Sequence, residues 1–308
     1  MKRHMPGAQL LQIAILIAVP VLLAMFSEPA GFAQSASRTA DRSGPLHGNW
    51  PIKPFKIIGN VYYVGLSDQT SYLITTPEGH FLIDATWEGG VPEIRKSIEQ
   101  LGFKVRDVKY LLNAHAHSDH VAGLSGMKEL TGAKVLAMAA DVPTIKDGGA
   151  SDSADGKPQW PPVRVDQALH DREQLTLGGV TMVAHLTPGH TKGCTSWSTV
   201  AEENGKKYNV VFICSMRVNP GFALGNNKKY PNIAEDFQKG FNTLKSLPCD
   251  IFLASHGNQF GMTERIKRME QNPGVNPFID PEGYRNYIAT YEKAFHDELK
   301  KRGGSLPR

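Results

Sequence analysis

Four residues able to bind a metal fall within six positions in His115-Ala116-His117-Ser118-Asp119-His120. Imidazole and carboxylate are donors that zinc takes at ~2.0–2.2 Å, and catalytic zinc sites leave one position open for water. His115 and His117, two apart in extended backbone, project from the same side. A turn after them redirects Asp119 and His120, so the cluster suits two neighbouring ions rather than one crowded ion. His190, in Thr187-Pro188-Gly189-His190-Thr191, and His256, after Asp250 to Ala254, occupy similar settings. Each follows a strand and lies in a polar turn with a glycine beside it. His4, His47, His80, His170 and His296 have no such setting, and His185, inside a strand, is expected to pack or to support a ligand. The chemistry implied is hydrolysis by a metal-activated water.

The elements that must position these residues are readable from pattern. Val108 to Asn113 is a strand running straight into the histidine cluster. Val121 to Leu130 reads as a helix closed by Gly132, and Ala133 to Met138 as a strand. Before them, Asn60 to Gly65 is β-branched and aromatic. Ser71 to Thr76 and His80 to Asp84 flank the hairpin signal Pro77-Glu78-Gly79, and Ile94, Ile98 and Leu101 mark a helix stopped at Gly102. Asp141 to Pro162 is rich in Gly, Ser, Asp and Pro and reads as a long loop, either a binding loop or a surface insertion. Later come a Gly178-Gly179 turn, the strand Val180 to Leu186, and a hairpin turning at Glu202 to Gly205. Phe237, Phe241 and Leu244 mark a helix face, Asp250 to Ala254 a strand, and Tyr284, Ile288, Tyr291, Phe295 and Leu299 a final amphipathic helix. Hairpins alternating with helices predict an α+β fold, two mixed sheets face to face with helices outside.

Composition narrows the setting. The chain has 308 residues, 41% hydrophobic and 21% charged, with mean hydropathy −0.30 and a net charge of +4. Its basic residues are dispersed, which argues against nucleic acid as a partner. Lys2 and Arg3, the apolar run Leu10 to Phe26 and small residues around Ala33 predict a signal peptide over 1–33. That run contains Gln12 and Pro20 and falls short of the ~20 apolar residues of a spanning helix. Export to the periplasm follows, with no membrane attachment after cleavage. A flexible arm is expected over 34–54 and the catalytic domain over 55–308.

Three cysteines remain, Cys194, Cys214 and Cys249. If the hairpin turn centres on Asn204, Cys194 and Cys214 lie ten residues to either side and face each other. Opposed residues on antiparallel strands have Cα atoms ~4.5–5.5 Å apart, within disulfide range. A Cys194–Cys214 disulfide is therefore expected, leaving Cys249 as a free, buried thiol.

The segments HAHSDH, TPGHTKGCTSW and SHG together resemble the metallo-β-lactamase superfamily, over nearly the whole chain after the signal. The resemblance implies an αββα sandwich holding two zinc ions. By it, His115, His117 and His190 hold the first, and Asp119, His120 and His256 the second. In the glyoxalase-like and ribonuclease-like branches an aspartate after the strand Asn209 to Ile213 bridges both metals. Here that place reads Cys214-Ser215-Met216-Arg217, without a carboxylate. His120 with Ser215, and the phrases PGHTKGCTSW and NPFI, are similar to the third subclass of class B β-lactamases. That likeness implies attack of zinc-bound hydroxide, oriented by Asp119, on a β-lactam carbonyl, with no covalent acyl-enzyme. Ser215 and Arg217 are candidates to bind the substrate carboxylate, Arg217 having a solvated rim charge as its alternative role. Trp160, with the long loop, or Trp87 would cover an apolar substituent, packing being the alternative role of both. The other readings are a zinc-dependent hydrolase of another ester, thioester or lactone, and a non-catalytic zinc protein. A monomer acting on a small-molecule substrate is expected.

Overall fold

The structure is a computed structural model describing residues 1, 44, 46–152, 156–220 and 222–302. The segment 2–43, which holds the expected signal peptide and part of the expected arm, lies outside them. Every element that follows lies within the compact unit Thr39–Arg308.

The first sheet has seven strands in sequence order: β1 (Phe55–Ile58), β2 (Val61–Tyr63), β3 (Tyr72–Thr76), β4 (Gly79–Ile83), β5 (Val108–Leu112), β6 (Lys134–Met138) and β7 (Gln167–Leu169). β1 to β4 pair antiparallel and β4 to β7 parallel. The second sheet comprises β8 (Gln174–Leu177), β9 (Val180–Leu186), β10 (Thr195–Glu203), β11 (Lys206–Ile213) and β12 (Ile251–Ala254). It is antiparallel from β8 to β11, with β12 added parallel to β11. The helices are α1 (Val91–Gln100), α2 (Ser118–Val121), α3 (Leu124–Thr131), α4 (Val142–Lys146), α5 (Ile233–Ser246), α6 (Met262–Gln271) and α7 (Pro281–Lys301).

Strand side chains alternate between faces, and the layers follow from that. Ile74, Phe81, Ile83, Leu112 and Leu136 join Met182, Trp197 and Phe212 of the second sheet in one buried core. Tyr72 meets Phe212 across this interface at a ring separation of 5.1 Å. The alternate residues Leu73, Leu82, Leu111 and Val135 turn outward against Ile94 and Ile98 of α1 and Leu124 and Met127 of α3. Phe237 and Phe241 of α5 and Phe295 of α7 seal the second sheet. Each such side chain contributes about 1.5–3 kcal/mol by leaving water. The result is the expected αββα sandwich.

Direction matters more than composition for what comes next. β2, β4, β5 and β6 run the same way, as do β9, β11 and β12. The loops after them meet at one edge of the sandwich.

Several expectations need correction. Residues within the expected arm are held: Asn49 Oδ1 accepts from the Asp68 and Gln69 amides at 3.1 Å, and Trp50 O from Ser67 N at 2.9 Å. The ordered domain thus reaches back before Phe55. The helix read over Val121 to Leu130 is two helices, α2 and α3, parted at Gly123. A β carbon on Gly123 would press on Ala85 O, so the chain passes there too closely for a side chain. The 141–162 segment includes the short α4. α6 was not expected, because only Met262, Ile266 and Met269 mark its apolar face among charges.

The hairpin register also differs. The turn is the two-residue Asn204-Gly205, both with positive φ (54° and 74°), and Glu203 pairs with Lys206. Asn-Gly suits such a turn because both positions tolerate left-handed backbone. Continued past the strand ends, this register would set Cys194 against Ser215, not Cys214. The ladder stops before then: Cys214 N donates to Ser196 Oγ at 3.1 Å instead. Cys194 and Cys214 form a disulfide with Cα atoms 5.8 Å apart, and Cys249 is free but half-buried rather than buried as expected.

Candidate metal centre

All six expected ligands follow strands ending at the common edge. His115 and His117 follow β5, and Ser118 starts α2, which turns the chain and points Asp119 and His120 back inward. His190 follows β9, and His256 follows β12. The rings of His115, His117 and His190 lie 4.7–4.8 Å apart, each pair roughly perpendicular. Asp119 Oδ2 lies 3.5 Å from His120 Nε2 and 3.4 Å from His256 Nε2. The ring of His120 is 4.1 Å from that of His115, so the two trios adjoin.

Outer contacts decide which nitrogen faces inward. His120 Nδ1 is 2.9 Å from Asp84 Oδ2, and His256 Nδ1 is 3.2 Å from Asp68 Oδ2. His190 Nδ1 is 2.7 Å from the Arg217 carbonyl, which can only accept. With Nδ1 donating in each case, Nε2 presents its lone pair. Around Asp119 Oδ2 this gathers two imidazole lone pairs and a carboxylate oxygen. Three acceptors so close need a cation among them. His115 Nδ1 and His120 Nε2 are moreover buried without a hydrogen bond. These donors, imidazole and carboxylate, fit zinc.

Electrostatics point the same way. Burial disfavours a charged His120, but Asp119 and Asp84 outweigh it and push its pKa up to about 10. In the metal-free protein a proton thus takes the cation's place. Asp119, despite burial, is held well below the usual carboxylate range by His120 and His256. Burial and the surrounding imidazoles keep His115 and His190 neutral.

The centre opens into a cleft of about 360 Å³ whose walls include His115, His117, Asp119, His190 and His256. Ser215, buried, and Arg217, exposed, line it, so both candidate substrate residues reach the metal site. Trp160 and Phe222 supply apolar wall. Trp87 does not line it and instead stacks on His47 at 3.9 Å. His185 stays apart, bonded to Ser198 Oγ at 2.7 Å.

Sequence reasoning missed three carboxylates here: Asp84, Asp68 and Asp141. Asp84, at φ 60°, also accepts from Ala114 N through Oδ1 at 2.8 Å. Asp68 Oδ1 accepts from Asn258 N at 2.9 Å. Asp141 bonds to both ligand-bearing loops, and burial raises its pKa to about 6 against those hydrogen bonds. The signal that located His190 and His256, a polar residue just after an apolar strand, was available for Asp84 after β4 and Asp141 after β6.

Comparison with known proteins matches this geometry. Residues 64–202 match the metallo-β-lactamase superfamily model. The structure resembles native FEZ-1 metallo-β-lactamase from Legionella gormanii, with 45% identity, a TM-score of 0.81, and coverage of 83% of this chain and 99% of that one. It also resembles the class B3 di-zinc metallo-β-lactamase LRA-12 from an Alaskan soil metagenome, with 32% identity, a TM-score of 0.75, and coverage of 81% and 95%. A hydroxyacylglutathione hydrolase of Methylococcus capsulatus is 24% identical over 247 residues, 70% of this chain and 84% of that protein.

Proposed function

The chain belongs to the metallo-β-lactamase superfamily and is a zinc-dependent hydrolase, and within that family we propose that it is a periplasmic β-lactamase working with two zinc ions. One observation carries the choice of substrate. After β11, where the thioesterase-like branch has a bridging aspartate, the cleft wall is Ser215, with no carboxylate at Cys214, Met216 or Arg217. The likeness to FEZ-1 and to LRA-12 supports this reading. The Cys194–Cys214 disulfide suits an oxidising compartment such as the periplasm.

His115, His117 and His190 would hold one ion, and Asp119, His120 and His256 the other. Zinc, when present, polarises a carbonyl and lowers the pKa of water to about 7. The protein's own groups do the rest. Asp119, kept ionised, accepts a hydrogen bond from the attacking water and fixes its direction. Asp84, Asp68 and the Arg217 carbonyl hold three imidazoles in the tautomer that faces the reacting centre. Ser215 donates to the carboxylate beside the ring nitrogen, and Arg217 adds charge and a fork of donors. Trp160 and Phe222 receive apolar substituents. No side chain forms a covalent intermediate.

A second reading, hydrolysis of a glutathione thioester, is favoured by the Methylococcus relative. One experiment separates the two: zinc-loaded protein with a chromogenic cephalosporin and with a hydroxyacylglutathione, each with and without chelator. Chelator-sensitive cephalosporin hydrolysis without an initial burst supports the β-lactamase reading. Turnover of the thioester alone would replace it.

A further inference from the structure

We propose that Asp141 is a positioning residue for the first metal site, setting its three histidines through their backbones. The proposal rests on the metal-centre reading above. Asp141 follows β6 at the common edge and is only 3% exposed. Its carboxylate accepts three hydrogen bonds: Ala116 N at 3.0 Å and Thr191 Oγ1 at 2.7 Å on Oδ2, and Gly193 N at 2.7 Å on Oδ1. Ala116 stands between His115 and His117, and Thr191 follows His190. One carboxylate therefore clamps the two loops that carry all three histidines, although those loops leave different sheets.

Chemistry explains why a carboxylate is used. Burying one is costly unless hydrogen bonds compensate, and among the described residues no lysine or arginine forms an ion pair with it. Only an acceptor on both branches satisfies two N–H groups and a hydroxyl at once; an amide would turn its own N–H toward one of these donors. Charge-assisted bonds of 2.7 Å are also stiffer than neutral ones. Gly193 fits the same account. A β carbon there would lie 2.6 Å from Asp141 N and 2.8 Å from Asp141 Cβ, so any side chain would push the clamp apart. Asp141 reaches the metal ligands only through peptide groups and Thr191. Its expected effect is thus on where the imidazoles sit, not on the reacting atoms.

The test measures metal binding and spectra as well as activity. Asp141→Asn and the milder Thr191→Val are prepared in full-length protein, alone and combined with His256→Ala or His190→Ala, which each cripple one metal site. Zinc affinity is measured by chelator competition, the cobalt-substituted protein by its visible absorption, and the fold by circular dichroism. In the His256→Ala background, Asp141→Asn should lower zinc affinity about 10–100-fold and change the cobalt spectrum, as loss of outer support does elsewhere. Thr191→Val should do the same to a lesser extent. In the His190→Ala background the remaining site should change much less. Equal weakening in both backgrounds would show general loosening, and wild-type affinity and spectra in both variants would show a purely structural carboxylate; either overturns the proposal. Should Asp141→Asn fail to fold, Thr191→Val decides by the same comparison. Wild-type protein that takes up no zinc would instead refute the metal-centre reading itself.

Discussion

Asp84 Oδ2 lies 2.9 Å from His120 Nδ1, and both side chains are buried. The contact fixes the His120 tautomer and turns Nε2 toward Asp119. Asp84→Asn tolerates the left-handed backbone at φ 60°, since Asn is enriched there, but loses the charge. Zinc affinity of the second site should fall about 10–100-fold, read by chelator competition. Unchanged affinity would mean that His120 needs no such partner.

Asp119→Asn is nearly isosteric. Turnover should drop by roughly 10²–10⁴, the usual worth of a positioned acid or base, with a much smaller change in melting temperature. The comparison is made at matched zinc content. A zinc-replete variant with wild-type turnover would remove Asp119 from the orienting role.

The metal-free protein should lose stability as pH rises from 7 toward 10. His120 has a folded pKa raised to about 10 from 6.5, so its contribution is complete below 6.5 and lost as pH climbs through the folded value. Cys249 acts in the same direction above pH 9, because burial, with Asp250 nearby, pushes its thiol up to about 12. The neutral His115 and His190 and the ionised Asp119 do not titrate in that window. Scanning calorimetry of chelated protein checks this, and a melting temperature that is flat or rising over that range would contradict the His120–Asp119–Asp84 arrangement.

Arg217 contributes its carbonyl to His190 and its side chain to the cleft. Arg217→Ala keeps the first and deletes the second. The Michaelis constant should rise while the chemical step changes little. Identical kinetics on penicillins, cephalosporins and carbapenems would leave the guanidinium as a solvated rim charge.

The Cys194–Cys214 bridge sits behind the centre. Thr195 N donates to Ala114 O, beside His115, and Ser255 Oγ to Cys214 O, beside His256. Replacing both cysteines by alanine should cost about 3 kcal/mol for a loop of this length. Urea denaturation measures that loss. Thiol titration of the unfolded protein should count one reactive group, Cys249; three would show the bridge absent.

Much of this protein was legible in its sequence because the informative patterns are local. The HAHSDH cluster after one apolar strand, and a polar turn with a glycine after two others at His190 and His256, singled out six candidate ligands without knowledge of their neighbours. Hairpin signals alternating with helical stripes likewise pointed to two sheets face to face with helices outside. What tertiary structure alone decided depends on partners from distant segments. Asp84, Asp68 and Asp141 acquire their roles only when the fold brings His120, His256 and the Ala116 amide to them. Trp160 and Trp87 are equivalent as residue types, and only the path of the chain puts one in the cleft and the other against His47. The disulfide shows both sides. The facing strands were readable, but the one-residue register was set by positive φ at both Asn204 and Gly205, and the cysteines met because the ladder ended before that register reached them.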